Sequence, residues 1–209
     1  NQQECLGLFG QDHTAKTTLL DLLAGSTQPS SGHIKIQGFD IQTHALKAKQ
    51  RVGYQLSMDL GHPTMSVKVF LGFIAAVRGF HGAEKRARLE QAVARLDLFP
   101  VLDAPLDALS IGWKRKVAIA QAVLHNPALL LLDEPTEGLA PEQKHSFRAL
   151  IQSLTQEMTV IIASRHCDEL SELCTRALVI AGASWIGFGG DNSTQKVEEL
   201  TIYSGRSEE

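Results

Sequence analysis

An α/β fold, with a parallel-rich sheet core interrupted by a helical insert, is predicted by three features of the sequence. Short apolar runs alternate with helix-like segments along most of the 209 residues. One run, Ala128 to Leu132, is four leucines after an alanine, too short for a helix and typical of a strand buried on both faces. The stretch from about 65 to 110 carries helical patterning only.

Taken in order, Cys5 to Phe9 is a short apolar strand ending at Gly10. A polar loop follows, then a helix over Thr17 to Ala24 with leucines at 19, 20, 22 and 23. Gln28 to Gly32 is a turn cluster, and His33 to Ile41 alternates Ile34 and Ile36 with Lys35 and Gln37, as a half-buried strand or hairpin does. Arg51 to Gln55 reads as another short strand. In the insert, Ser66 to Arg78 is apolar nearly all round, which predicts a helix sandwiched between other elements. Ala83 to Leu98 is amphipathic: Leu89, Val93 and Leu96 share a face, whereas Glu84, Lys85, Arg86 and Arg88 lie elsewhere. Pro100 and Pro105 punctuate its end. A helix over Ile111 to Leu124, the leucine strand, a helix over Pro141 to Gln156 and a buried strand over Thr159 to Ala163 come next. A helix over Asp168 to Cys174 and a strand over Ala177 to Ile180 complete the pattern. The expected division is a first core part over 1–64, the insert over 65–110, a second core part over 111–190 and a polar tail over 191–209.

Composition excludes several classes. Apolar residues are 44% and charged residues 21%, ordinary globular usage. The net charge of −3 offers no basic excess for nucleic acid, so none is expected as a partner. The longest stretch without Asp, Glu, Lys or Arg, Val117 to Leu132, is broken by His125-Asn126-Pro127 and falls short of the ~20 residues of a spanning helix. Cys5, Cys167 and Cys174 form no C-x-x-C pair, which argues against a disulfide framework or zinc cluster and suits a reducing cytosol. No signal peptide is visible; the sequence opens at Asn1 rather than Met, as a piece whose start lies upstream would.

Two motifs carry chemistry. Gly10-Gln11-Asp12-His13-Thr14-Ala15-Lys16-Thr17, followed by Thr18, falls between a strand and a helix and follows the phosphate-loop form G-x-x-x-x-G-K-[ST], except that Ala15 replaces the second glycine. Amides at a helix N-terminus make an anion site without special side chains. Lys16 is placed to reach the β and γ phosphates of a nucleotide, and Thr17 to hold Mg²⁺. The plain alternative is a solvated Lys16 and an ordinary helix N-cap at Thr17. The second motif is Leu129 to Leu132 running into Asp133, Glu134 and Pro135, two acids at the C-terminal end of a parallel strand, where ligand sites of such sheets lie. There an Asp can orient Mg²⁺ and the adjacent Glu can polarise an attacking water. Together the motifs predict a P-loop NTPase.

Leu109-Ser110-Ile111-Gly112-Trp113, then Lys114-Arg115-Lys116 and an Ala-rich run to Asn126-Pro127, resembles the L-S-G-G-Q signature helix of ABC-type ATPases. The resemblance extends from about Gln3 to Gly187. It takes in Leu22-Leu23-Ala24-Gly25, Ser31-Gly32, Val52-Gly53-Tyr54, Glu134 to Leu139, Val160 to His166 and Glu169 to Cys174. It is strongest to ATP-binding subunits of bacterial exporters. It implies a RecA-like core with a helical subdomain, and pairing of two such domains head to tail so that each ATP lies between one phosphate loop and the opposite signature. The partners implied are a membrane permease and a second ATPase subunit, and the place is the cytoplasmic face of the cell membrane. Carried onto this sequence, Lys16 and Thr17 bind phosphate and Mg²⁺, Asp133 supports the metal, Glu134 is the general base and His166 contacts the γ-phosphate. Ser110 and Gly112 contact the nucleotide of the opposite chain. A histidine satisfied at a strand end is the alternative for His166.

This sequence departs from the family pattern at several places. In the phosphate loop stand Asp12, His13 and Ala15. His13 tolerates positive φ, which would keep the loop's shape. A left-handed backbone at Ala15 would cost ~1–2 kcal/mol, and its methyl would block close approach of phosphate. Ile111 and Trp113 replace the first glycine and the glutamine of the signature; loss of one preorganised donor typically costs ~10²–10³ in rate. Ser57 stands where a metal-facing glutamine is expected, with Gln55 two residues away, and Ala140 replaces an Asp. The adenine-stacking aromatic falls outside the sequence.

Three readings stand at this point. One is an ATPase subunit driving a permease with reduced turnover. Another is a degenerate module that docks on a permease and barely binds nucleotide. The third is an unrelated P-loop enzyme such as a small-molecule kinase, against which Lys85, Arg86 and Arg88 lie on a solvated helix face. Permeases of the family insert a short helix near Ser57 to Phe73, where Met58, Leu60, Met65 and Phe70 read either as groove lining or as core.

Overall fold

The leucine run does what its composition demands, forming the centre of a sheet covered on both faces. The computed structural model describes residues 4–55, 60–181, 184–188 and 194–196. Strand β1 (Cys5–Phe9) leads into helix α1 (His13–Ala24). A two-residue-per-strand hairpin follows, β2 (Lys35–Ile36) and β3 (Phe39–Asp40), then α2 (Ala45–Lys49) and β4 (Val52–Gln55). The chain then runs through α3 (Val67–Val77), α4 (Gly82–Arg95) and two 3-10 turns at Phe99–Val101 and Leu106–Ala108. A bridge between Ser66 and Pro105 closes this helical stretch at its base. Next come α5 (Ile111–Val123), β5 (Leu129–Asp133), α6 (Pro141–Thr155), β6 (Thr159–Ser164), α7 (Cys167–Leu173) and β7 (Arg176–Ala181). Two further strands, β8 (Ser184–Phe188) and β9 (Thr194–Lys196), follow.

The sheet order is β4-β5-β6-β1-β7-β8-β9. The first five strands pair parallel, and β8 and β9 add antiparallel. Alternate leucines of β5 point to opposite faces. Leu129 and Leu131 pack with Leu19, Leu20 and Leu23 of α1, while Leu130 and Leu132 pack with Val117 and Ile119 of α5 and with Ile151 of α6. Gly53 is dictated by close packing: a Cβ there would lie 2.3 Å from the Ala122 carbonyl oxygen of α5.

Several expectations change. Helix α1 begins at His13, four residues before the predicted start, because the Asp12 carboxylate caps it by accepting from the Ala15 amide at 3.3 Å. Thr17 is therefore not the N-cap. Neither His13 nor Ala15 has positive φ, so the left-handed loop and its strain do not arise; both residues are helical. Helix α3 is not sandwiched. Val67, Phe70, Leu71 and Ala75 are buried, whereas Val69, Phe73 and Val77 are 57%, 57% and 68% exposed. Leu60 and Phe70 belong to the core and Met65 packs against it, so they line no exposed groove. Ser57 and Met58 lie outside the described residues. The helix α2 and the strands β8 and β9 went unpredicted.

Candidate functional site

Parallel strands aim their C-terminal ends at one edge of the sheet, and the chemistry-bearing residues gather there. Gly10 follows β1 beside the β7 backbone, where a Cβ would stand 2.9 Å from the Ile180 carbonyl oxygen. The chain turns through exposed Gln11 and Asp12 into α1, whose first-turn amides face the same edge. His13, Thr14 and Thr18 are exposed and Ala15 is half-buried.

Lys16 is not solvated. It is 1% exposed, donates to the Gly10 carbonyl and lies 3.5 Å from Glu134 Oε1. Thr17 Oγ1 donates to Asp133 Oδ2 at 2.7 Å and meets His13 Nδ1 at 3.3 Å. Helix α1 thus reaches across the end of β6 to the last residue of β5. Lys16, Thr17, Asp133 and Glu134 form one cluster, assembled from two motifs far apart in sequence.

Glu134 follows β5 with φ of 44°, a left-handed backbone that non-glycine residues rarely hold. Its amide donates to the Ala163 carbonyl at 2.9 Å. Its carbonyl accepts from Arg115 Nη1 at 2.6 Å, and the same guanidinium also donates to the Glu137 carbonyl. The buried Arg115 of α5 therefore clamps the loop that carries Glu134. Burial pushes the Glu134 carboxyl above the ordinary range, and the Lys16 and Arg165 cations oppose that push. Arg165 lies 3.9 Å from Glu134 Oε1 and pairs with Glu137. Burial lowers Arg115, with Glu137 first among the acids that counter it.

Among the described residues, two buried carboxylate oxygens at this edge, Asp133 Oδ1 and Glu134 Oε1, accept no hydrogen bond, although Glu134 Oε1 is ion-paired with Lys16. Acceptors without a hydrogen bond beside a threonine hydroxyl are what a hydrated divalent cation and an ordered water would satisfy. Among the described residues no group of three or more His, Cys, Asp and Glu could hold a metal by itself. A cation here would take oxygens from water and phosphate, as Mg²⁺ does.

The remaining candidates lie apart. His166 is exposed just beyond β6, on the same edge as Asp133, and its amide donates to Ser164 Oγ at 3.1 Å. Ser110 is exposed at the N-cap of α5, with no side-chain cap bond. Gly112 stands beside Leu139 and Gln143. Ile111 is 42% exposed and sends its Cδ1 over Gly138. Lys116 lies 4.9 Å from the centre of the Trp113 ring. Ala140, at the N-cap of α6, has its amide satisfied by Gln143 Oε1 at 3.2 Å.

The sequence reading missed Arg115, although it stands in the Lys114-Arg115-Lys116 run one turn into α5. It also missed Glu169, a buried carboxylate that accepts from Thr136 Oγ1 and from Ser164 Oγ and so ties the loop after Glu134 to α7. A lone acid on a short helix carries no sequence signal of that role.

Comparison with known proteins follows the same lines. A family model described as ABC transporter matches residues 1–137. The ABC transporter ATP-binding protein NatA of Bacillus subtilis is 32% identical over 197 residues, covering 93% of this chain and 80% of that protein. The Nod factor export ATP-binding protein I of Burkholderia thailandensis is 31% identical over 224 residues, covering 98% and 74%. The structure of cbiO1 from Clostridium perfringens, part of the ABC transporter complex cbiONQ, superposes with a TM-score of 0.76 at 29% identity, over 86% of this chain and 74% of that one.

Proposed function

Since this chain belongs to the ABC transporter family of ATP-binding proteins, we propose that it couples binding and hydrolysis of Mg·ATP to a membrane permease, with reduced turnover. The observation that carries this reading is the buried cluster of Lys16, Thr17, Asp133 and Glu134, in which Asp133 Oδ1 and Glu134 Oε1 accept no hydrogen bond from a described residue. The third reading of the sequence, an unrelated kinase, is set aside by the family.

In the cluster as it stands, the Lys16 ammonium is held by the Gly10 carbonyl and by Glu134. A triphosphate entering at the first turn of α1 offers Lys16 stronger, charge-assisted partners. Mg²⁺, when bound, would be held by Thr17 and Asp133 and would neutralise phosphate charge. Released from Lys16, the Glu134 carboxylate accepts the proton of the attacking water, and Arg115 fixes the backbone on which it is carried. His166, at the neighbouring strand end, contacts the γ-phosphate, and Ser110 and Gly112 face the nucleotide of a second ATPase subunit, identical or related. We assign residues 1–64 and 111–190 to the RecA-like core, 65–110 to the helical subdomain and 191–209 to a tail.

Reduced turnover follows from three side chains. Asp12 brings a carboxylate to the helix N-terminus and engages one of its amides, opposing an incoming anion. Ala15 adds a methyl at the phosphate rim, and Ile111 covers part of the signature surface. The same three support the second reading, a domain that docks but does not hydrolyse. The permease is expected on the face of α3 that Val69, Phe73 and Val77 leave exposed, one helical turn apart each. No described helix is long and apolar enough to cross a membrane, so attachment to the inner membrane face would run through that partner. Glu134→Gln separates the readings: retained ATP affinity with abolished turnover supports the ATPase, whereas a wild-type chain without turnover supports the docking module.

A further inference from the structure

Beside the first residue of β4, away from the nucleotide cluster, lies a cleft of about 390 Å³ that the proposed chemistry does not use. Helix α2 and its end contribute Leu46, Lys49 and Gln50. The end of α3 contributes Arg78, with Phe80 just beyond, and α4 contributes Arg88. His125, past α5, completes the lining, and its Nε2 donates to the carbonyl of Val52 at 3.0 Å. Val52 pairs with Leu129, the first residue of β5, so the cleft and Asp133 lie at opposite ends of that strand pair.

Three properties define what the cleft can hold. The first is positive charge without counter-ions. Lys49, Arg78 and Arg88 line it, and no carboxylate is among the described lining residues; Glu84, 3.8 Å from Arg88 on the same helix, is the nearby acid. Loss of water lowers the Arg78 guanidinium, and no described carboxylate acts in the opposite sense. The chain as a whole carries a net charge of −3, so these cations are concentrated against the average. The second property is an unused acceptor. A carbonyl oxygen only accepts, so Nε2 of His125 carries the ring hydrogen and Nδ1 keeps its lone pair. Nδ1 is buried, and no described group donates to it. Burial first, then Arg78, hold His125 down at about 4, so this ring stays neutral among the cations. The third property is an apolar surface beside the charges: the Phe80 ring lies 5.2 Å from the Arg88 guanidinium, and Leu46 is exposed.

We propose that this cleft is a binding site for a small soluble organic phosphate that carries two phosphate groups and a hydroxyl. Its volume lies in the ordinary range of small-molecule sites. Two guanidinium forks match the oxygens of phosphate, which each can bind two at a time, and Lys49 adds a point charge. Three cations close together repel one another, and a ligand with about three negative charges relieves that repulsion better than a monocarboxylate or a single phosphate does. A ligand hydroxyl supplies the donor that His125 Nδ1 lacks, and the organic body covers Phe80 and Leu46. Bound there, the ligand joins α2 to the end of α3 and to α4. The site shares no residue with the nucleotide cluster, so it stands or falls independently of the ATPase reading.

The test follows the imidazole signals of the histidine-labelled chain by NMR while fructose 1,6-bisphosphate is added at ~0.15 M salt. His125 is recognised as the imidazole that stays neutral down to about pH 4. Its signal is expected to move saturably with Kd at or below ~1 mM. Fructose 1-phosphate should bind about tenfold more weakly, and fructose not at all. Arg78→Gln with Lys49→Gln, both at exposed positions, should weaken the bisphosphate at least about tenfold, and Lys49→Gln alone by a smaller factor. Lys35→Gln on β2 and Lys16→Ala in the nucleotide cluster should leave the shift intact. No saturable movement of the His125 signal up to ~10 mM, or the same movement in the double variant, would overturn the site. Equal binding of sulfate, or of fructose, would overturn the organic phosphate as its ligand. Sedimentation with phosphatidylglycerol vesicles but not phosphatidylcholine ones, lost in the double variant and unaffected by the bisphosphate, would overturn it in favour of a lipid headgroup.

Discussion

At the scale of single residues, the central feature is an ammonium and a carboxylate removed from water together. Lys16 and Glu134 are 1% and 4% exposed, and breaking such a pair leaves a buried charge without its counter-ion. Lys16→Ala is therefore expected to lower stability by ~3 kcal/mol, a fall in Tm of roughly 6–12 °C in thermal unfolding, besides abolishing nucleotide binding. The carboxyl of Glu134 sits above its ordinary range because burial outweighs the two nearby cations. A base works deprotonated, so at a given pH less of it is active than of an exposed glutamate. The rate of ATP hydrolysis should accordingly climb with pH through a limb above 4.5, the usual glutamate value. A pH–rate profile with its acid limb at or below that value would remove Glu134 from the role of base. Lys16, Thr17, Asp133 and Glu134 were all legible in sequence, since residue type and order alone imply a phosphate loop and strand-end acids. Asp12 as a cap was not, because the expected left-handed loop through His13 and Ala15 hid the Asp12 side-chain bond, accepted from the Ala15 amide, that starts α1 four residues earlier.

At the scale of elements, α1 and α5 decide how the site performs. Starting α1 at His13 keeps Ala15 helical, so the proposed effect of its methyl is crowding of a bound phosphate and not backbone strain. Ala15→Gly should then relieve crowding at some cost to helix stability, ~1 kcal/mol. With Ile111→Gly, which uncovers the start of α5, the double variant is expected to hydrolyse ATP faster in the assembled dimer; an unchanged steady-state rate would contradict the assignment of these two residues as the defects. Most helices and central strands could be read from periodicity, but α3 could not be read fully. Its sequence is apolar on all sides, and periodicity cannot tell a face buried in this chain from a face awaiting another. Only the exposure of Val69, Phe73 and Val77 separates the two. Helix α2 is five residues long and β9 three, too short for any period to show.

At the scale of the whole molecule, the order β4-β5-β6-β1-β7, with these five strands parallel, sets the phosphate loop and the two acids on one edge. Strand order was invisible in sequence because parallel register depends on crossovers that fix no local pattern. Glu134→Gln, holding ATP without turning it over, should shift the chain from monomer toward dimer in sedimentation velocity when Mg·ATP is added, and no shift would argue against pairing across the nucleotide. The most direct test of the whole account is isothermal titration of Mg·ATP into the wild-type chain and into Lys16→Ala. The account predicts a saturable heat in the wild type with Kd at or below ~1 mM and none in the variant. Absence of heat in the wild type at millimolar ligand, or the same heat in both proteins, would contradict it.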